Sequence, residues 1–545
     1  MGGPSVSFSQ TITILGLLFL VTTASCAATG QSQGGPPSAA TPLSTVEVET
    51  PMGPVIGVQE SKISIFKGLP YAKAPEGELR WKAPEPISTW NEPLDATSFG
   101  SSCIQITRPA PAPDPGPQSE DCLFLNVWAP NDLEEPAPVL VWIHGGAFVL
   151  GSSSFPFYDG KSFAESGVVF VSMNYRLGRF GFFAHPALHE ETPVSNFAFL
   201  DQIAALEWVR DNISAFGGDP SNVTIGGESA GGVSVTHLLS APQARGLFHK
   251  AIVQSGSGHR VEQHAWQARG RRAPYADLGI DWAKKNGLSG GAATPEALRS
   301  IPAKDVLGER VGAGQPLRMG PSIDGVTVMA DVASQFEKAN QARVPMLIGA
   351  TSYEASLAEN VGTRPRQILN LLRPRLPQAR TAYANAGQDL SDRELAYQAY
   401  GDATFVAPAR YLARFMAKSG VPVWLYHFDV VPEAQRGSAK GTRHGGDIPY
   451  VFDLIDELPQ LAEGVGPSDR SIAQNIHRAW VAFISNGDPN HQGLSNWALV
   501  DTESTPTLHV QAGGAETDLE FEAEIHDYFD DRFQRLRRLF PMPGE

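Results

Sequence analysis

The stretch Gly227-Glu228-Ser229-Ala230-Gly231 is where the residue types of this chain most directly spell out a reaction. The β-branched run Val223-Thr224-Ile225 leads in, and the small residues Gly232-Val233-Ser234-Val235 lead out. That order predicts a strand, a sharp turn and a helix, with Ser229 at the turn. A serine there takes a strained backbone conformation that only small neighbours tolerate, which accounts for the glycine two residues away on each side. The helix that follows aims free N–H groups and a partial positive charge at the same point. A hydroxyl so held is a nucleophile in need of a base, an acid to orient the base, and donors for an oxyanion. Gly-x-Ser-x-Gly alone also fits a plain glycine-rich turn, so the flanking patterns and the rest of the chain carry the argument.

A second stretch suits the donor role. His144-Gly145-Gly146-Ala147 follows the buried-type strand Val139-Leu140-Val141-Trp142-Ile143. Two glycines let backbone N–H groups turn toward one point, so Gly145 and Gly146, with the N–H of Ala230, are the expected oxyanion hole. Losing one such donor typically costs ~3–4 kcal/mol of transition-state stabilisation.

The elements that must position these groups alternate along the chain. Residues 46–58 and 61–66 alternate and carry Gly/Pro turns, which predicts an N-terminal β-hairpin. Residues 139–143, 168–173, 223–226, 251–254, 344–349 and 423–428 predict buried strands. Residues 201–212 have helical periodicity, and residues 519–540 predict a C-terminal amphipathic helix. Strands alternating with helices imply an α/β class with a large, mostly parallel central sheet and helices on both faces. No internal repeat is present.

Composition bounds the setting. The chain has 545 residues, 42% hydrophobic and 18% charged, enough to bury a large core. Its net charge of −16 argues against nucleic acid as a partner. Residues 11–22 form an apolar run of signal-peptide length, too short for a membrane span, and Ala24-Ser25-Cys26-Ala27-Ala28 follows. Cleavage after Ala27 or Ala28 predicts a leader over 1–27, although no Lys or Arg precedes the run. A lipid anchor at Cys26 is the minor alternative. A Gly/Ser/Pro-rich flexible linker follows over 28–45, then one domain over 46–545. The chain is therefore expected to be exported, periplasmic or secreted. In an exported chain the remaining pair, Cys103 and Cys122, reads as one disulfide, the alternative being two buried thiols.

Longer motifs then identify a family. Asp201-Gln202, Ala205-Leu206-Glu207-Trp208-Val209, Phe216-Gly217-Gly218-Asp219-Pro220 and the Ser229 turn resemble the type B carboxylesterase/cholinesterase family of α/β-hydrolases. So do Glu120-Asp121-Cys122-Leu123, Asn174-Tyr175-Arg176 and Gly68-Leu69-Pro70-Tyr71-Ala72. The resemblance implies the α/β-hydrolase fold and a triad in the order Ser, acid, His. Its acid position falls on Glu354, in Gly349-Ala350-Thr351-Ser352-Tyr353-Glu354-Ala355, with Tyr353 and Ala355 departing from the family's Asp-Glu-Gly. Asp219 and Asp447 match structural positions instead. Its base position falls on His444, in Gly441-Thr442-Arg443-His444-Gly445-Gly446-Asp447. The family also implies buried pairs of Arg80 with Glu120 and Arg176 with Asp201, and Ser255 bonded behind the triad. The expected reaction is ester hydrolysis through an acyl-enzyme, on a small-molecule ester, with no metal and no cofactor.

Two further expectations concern the ligand. Family members that serve as adhesion receptors typically lack a triad residue, whereas all three positions are filled here. Cholinesterases bind a quaternary ammonium on an aromatic residue of the first disulfide loop, and residues 104–121 have none. The run Gly258 to Pro274 carries Arg260, Arg269, Arg271 and Arg272 against one Glu262. It is either a solvated loop or a clamp for substrate carboxylates, with Arg260, Arg271, Arg272 and the distant Arg443 as its candidate residues. Bacterial members that cleave tricarballylate esters of fumonisin-type mycotoxins would fit such a clamp; general carboxylesterases for neutral esters would not need it.

Overall fold

Strands with apolar residues on both faces must be covered on both faces, and the computed structural model of the chain shows how. It describes residues 44–541, apart from 108–111, 257, 309–319, 361, 374, 459–461 and 463. The expected leader, Cys26 and nearly all of the expected linker lie outside the described residues. At the linker's end, Thr45 already belongs to strand β1 (Thr45–Thr50).

Strand β1 and β2 (Gly53–Gln59) pair antiparallel, Thr45 opposite Val58, and β2 pairs in turn with β3 (Ile63–Pro70). The stretch expected as one arm of a hairpin is thus a hairpin itself, turning at Pro51-Met52. Strands β4 (Leu94–Asp95), β5 (Ser102–Cys103) and β6 (Gln118–Ser119) are short; the last two pair apart from the main sheet. The body follows with β7 (Phe124–Pro130), β8 (Ala137–Ile143), β9 (Val169–Met173), β10 (Gly218–Glu228), β11 (Lys250–Gln254), β12 (Met346–Thr351) and β13 (Val423–Asp429). It closes with β14 (Thr507–Gln511) and β15 (Gly514–Asp518), a hairpin beyond those expected from the sequence. The 13-stranded sheet runs β1-β2-β3-β7-β9-β8-β10-β11-β12-β13-β14-β15, with β4 beside β2. From β9 to β14 every neighbouring pair is parallel.

Alternation along these strands separates two cores. Val139, Val141, Ile225, Val253 and Ile348 face one side, with Leu206 and Val235 of the helices Phe197–Asn212 and Ala230–Ser240. Leu140, Trp142, Ile252 and Leu347 face the other, against Ile476, Trp480 and Phe483 of the helix Pro467–Asn486. The expected C-terminal helix is present as Ala523–Leu539. Cys103 and Cys122 are disulfide-bonded, with Cα atoms 4.9 Å apart.

Candidate active site

The parallel strands end at one edge of the sheet, and the chain leaves four of them through groups that meet there. His144 follows β8, Ser229 follows β10, Glu354 follows β12, and His444 lies in the loop after β13. Crevices at the carboxyl ends of such strands are where open α/β sheets hold their ligands.

Ser229 has φ 56° and ψ −121°, the strained turn that its glycines permit. Those glycines do more than relax sterics. A Cβ on Gly231 would stand 1.9 Å from Ile143 O, and one on Gly232 would stand 2.7 Å from Gln254 O. Small residues let the helix Ala230–Ser240 lie directly on the backbones of β8 and β11, which fixes where the serine points.

The acid and base loops are joined before either reaches the serine. Tyr353 N–H donates to Thr442 O at 2.8 Å, and Thr442 N–H donates to Ser352 Oγ at 2.8 Å. His444 N–H donates to Ser356 Oγ at 2.9 Å. Ala355, where the family has glycine, does not adopt a positive φ, so its methyl group is tolerated. Tyr353 is buried, and its hydroxyl accepts from Lys440 Nζ at 2.9 Å.

The three side chains form a relay. His444 Nδ1 donates to Glu354 Oε2, and His444 Nε2 lies 2.8 Å from Ser229 Oγ. A carboxylate only accepts, so the proton sits on Nδ1 and the Nε2 lone pair is left for the serine proton. Glu354 Oε1 accepts from Ser255 Oγ at 2.5 Å and from Thr351 N–H at 2.8 Å. Burial pushes Glu354 up, but the imidazole, Ser255 and Thr351 outweigh it and hold its pKa below the usual value. Asp447 is not part of the relay. Its Oδ2 accepts from Gln254 at 2.8 Å and Tyr426 at 3.1 Å, and burial raises its pKa to about 6. Asp219 lies at the start of β10, accepting from Ser221 N–H at 2.8 Å.

A further titratable group adjoins the relay, one that no sequence signal marks although it stands beside the serine. Glu228 Oε1 lies 3.3 Å from His444 Nε2 and has no hydrogen-bond partner among the described residues. Burial raises its pKa to about 8. Burial also opposes the imidazolium of His444, yet Glu228 and Glu354 overcome it and lift that pKa to about 9.

The oxyanion turn differs from expectation at one residue. Gly145 N–H is already taken, donating to Tyr158 OH at 3.4 Å. The N–H groups of Gly146 and Ala147 have no acceptor among the described residues, nor does that of Ala230 at the first position of its helix. The donors left free are thus those of Gly146, Ala147 and Ala230. A tyrosine 13 residues downstream decides this, and no local pattern announces it.

The four candidate arginines are not brought together. Arg272 donates to Val261 O at 2.5 Å and stacks 4.6 Å above the Phe540 ring, so it holds the C-terminal segment. Its neighbour Arg269 is buried in a two-bond pair with Asp331, at 2.7 and 2.6 Å. Arg443 donates to Asn360 at 3.0 Å and lines a cavity of about 430 Å³ beside Lys440 and Tyr353, apart from the cavity of Arg260. Arg271 is exposed. Arg260 is exposed and lines a cavity of about 600 Å³ with Tyr275 and Gly320. A Cβ on Gly320 would stand 3.9 Å both from its guanidinium and from Phe148, the residue after the oxyanion turn. A single clamp of Arg260, Arg271, Arg272 and Arg443 is therefore not what the structure shows. The two buried pairs implied by the family are present: Arg80 donates to Glu120 at 2.7 Å, and Arg176 to Asp201 at 2.8 and 2.6 Å.

Known proteins resemble the chain along nearly all of this length. The family model described as "Carboxylesterase family" matches residues 44–528. The para-nitrobenzyl esterase of Bacillus subtilis (strain 168) is 36% identical over 510 residues, 91% of this chain and 99% of that protein. The fumonisin B1 esterase of Sphingopyxis macrogoltabida is 33% identical over 482 residues, 86% and 87% of the two chains. Among solved structures, PNB esterase aligns with a TM-score of 0.74 at 33% identity, over 89% of this chain and 99% of its own. Carboxylesterase EST55 of Geobacillus stearothermophilus aligns with a TM-score of 0.74 at 32% identity, over 91% and 99%. The sheet and its covering helices are the α/β-hydrolase fold.

Proposed function

This chain belongs to the carboxylesterase family and is a carboxylic-ester hydrolase, and from that premise we propose that it works through an acyl-enzyme on Ser229. The supporting observation is the Ser229–His444–Glu354 relay at the strained turn. His444 takes the Ser229 proton as Oγ attacks the ester carbonyl. Gly146, Ala147 and Ala230 N–H groups stabilise the oxyanion, and Glu354 stabilises the imidazolium. The oxyanion collapses, the C–O bond to the alcohol breaks, and His444 returns the proton to the leaving alcohol. Water then repeats the steps on the acyl-enzyme, with His444 as base, and frees the acid and Ser229. Rapid quench of a p-nitrophenyl ester reaction followed by mass spectrometry is expected to find the acyl group on Ser229. Turnover with no such adduct, or turnover by Ser229→Ala, would count against this mechanism.

A second reading concerns the substrate: the acyl group carries a carboxylate that seats on Arg260. Arg260 has no acidic partner among the described residues and, like Phe148, lies close to Gly320, while Arg269 and Arg272 have structural partners. The similarity to a protein named fumonisin B1 esterase agrees with an acidic ester; the similarity to para-nitrobenzyl esterase does not require one. An unpaired carboxylate in a closing pocket costs several kcal/mol, and one arginine offsets much of that. Arg260→Gln is expected to lower kcat/KM for a tricarballylate monoester about 10-fold or more while sparing a short neutral ester. Equal response of the two substrates would reduce Arg260 to a solvated side chain.

Export is proposed as well, supported by the apolar run at 11–22 and consistent with a disulfide. N-terminal sequencing of protein recovered outside the cytoplasm is expected to begin near Ala28; an intact N-terminus would refute cleavage.

A further inference from the structure

The oxyanion turn has an unusual backbone. Gly146, Ala147 and Phe148 have φ of 109°, 54° and 62°, three successive positive values, two of them at non-glycine residues. L-residues do not hold such a run unaided, so the surroundings must impose it. Local anchors are visible: Tyr175 OH donates to His144 O at 2.8 Å, and Gly178 N–H donates to Phe148 O at 2.6 Å.

One further anchor arrives from the disulfide loop. Gln105 lies two residues after Cys103 and is 4% exposed. Its amide grips Gly151 from both sides: Nε2 donates to Gly151 O at 2.7 Å, and Oε1 accepts from Gly151 N–H at 2.8 Å. The remaining amide hydrogen goes to Cys103 O at 3.1 Å, and Gln105 N–H donates to Gln118 Oε1 at 2.8 Å. Every donor and acceptor of this buried amide is used, and its partners lie on the two segments it joins. A Cβ on Gly151 would stand 2.3 Å from His144 Nδ1 and 2.5 Å from Gly145 O, so the far end of the turn rests on its near end. Between those ends, Val149 and Leu150 N–H both donate to Gly146 O at 3.1 Å. Gly151 therefore has little freedom to move without moving Gly145 and Gly146. A hydroxyl contact of 2.7 Å between Ser102 and Ser152 runs alongside.

We propose that Gln105 is a positioning residue for the oxyanion hole: by clamping Gly151 it holds the N–H groups of Gly146 and Ala147 in place, and it ties them to the Cys103–Cys122 bridge. The proposal rests on the oxyanion assignment made above. Pre-organised donors stabilise the transition state only while they stay where charge develops, so a loosened turn lowers kcat and leaves ground-state binding alone.

The test uses the full enzyme with p-nitrophenyl acetate, and rates are divided by active sites titrated with a fluorophosphonate, so that misfolded molecules are not counted. Gln105→Ala is expected to lower kcat roughly 10- to 100-fold with little change in KM. Inhibition by a trifluoromethyl ketone, whose adduct places an oxyanion in the hole, should weaken by a similar factor. The acid limb of the pH profile should not move, because His444 is untouched. Gln105→Glu keeps the volume but sets a carboxylate oxygen against two carbonyls, so it should also lose kcat; a role in packing alone would leave it active. Replacing Cys103 and Cys122 by serine should lower kcat in the wild type and add little in Gln105→Ala. Full kcat per titrated site in both Gln105 variants, or losses from the bridge and Gln105 that simply multiply, would overturn the proposal. A trifluoromethyl ketone that binds the wild type no better than its methyl ketone parent would instead refute the oxyanion assignment itself.

Discussion

Two regions of this chain advertise charge and chemistry with equal clarity, and they came out differently. Around Ser229, Glu354 and His444, each functional side chain meets another, and the loops that carry them are bonded to each other first. Along residues 258–274, four arginines that look alike in sequence go four ways: one into a buried ion pair, one onto a phenylalanine, one into solvent, one to the mouth of a cavity. A catalytic motif describes a backbone conformation, which its own residues enforce. A run of like charges describes nothing but solubility until the partners are known, and those partners come from elsewhere in the chain.

The sharpest break of that contrast lies in the relay. Ser229→Ala and His444→Ala are each expected to lower kcat about 10⁵- to 10⁶-fold with an unchanged melting temperature. Glu354→Gln should cost about 10⁴-fold, because an amide in place of the carboxylate favours the wrong tautomer. Asp447→Asn tests the choice of acid: it should cost far less, and steady-state kinetics on the pair would reverse the assignment if Asp447→Asn proved the worse.

Arg269 comes next, and there the readout is stability. Arg269→Met strands Asp331, fully buried and, among the described residues, ion-paired to Arg269 alone. Breaking a buried pair from one side typically costs about 3–5 kcal/mol. Denaturant titration should show that loss while kcat per folded site stays near wild type. Loss of kcat without loss of stability would move Arg269 into the site and weaken the contrast.

A smaller effect concerns Glu228. His444 must be neutral to act as base, so activity falls as pH drops through its pKa, which lies above the ordinary 6.5. Glu228→Gln removes a carboxylate 3.3 Å from Nε2 and with it part of that lift. The acid limb of kcat/KM should therefore shift to lower pH. An upward shift would mean that Glu228 acts on His444 by something other than charge. Smallest of all is Arg271→Gln, at an exposed site, expected within about 0.5 kcal/mol of wild-type stability and with unchanged kinetics. A selective loss on acidic esters in that variant would restore Arg271 as a ligand residue.

Legibility in the sequence followed the range of the physics. The turn at Ser229, the buried parallel strands and the helix after the serine were readable because backbone conformation and burial period depend on neighbouring residues. The β1–β2 turn inside an apparent single arm and the β14–β15 hairpin were missed, since their strands are short and half exposed. Glu228 was overlooked because a carboxylate beside the nucleophile has no signature of its own; its role depends on His444, 215 residues beyond the serine.

By itself, then, the sequence determined that this chain builds a mostly parallel sheet with a strained serine turn and carries, at family positions, an acid and a base to serve it. Only the tertiary structure decided which N–H groups are left free for an oxyanion, since Tyr158 takes the one on Gly145. It alone decided which arginine of that run gains a buried carboxylate, since Asp331, 62 residues from Arg269, claims that one. Donor and charge satisfaction are settled by whichever group arrives within about 3 Å, and arrival is a property of packing, not of spacing along the chain.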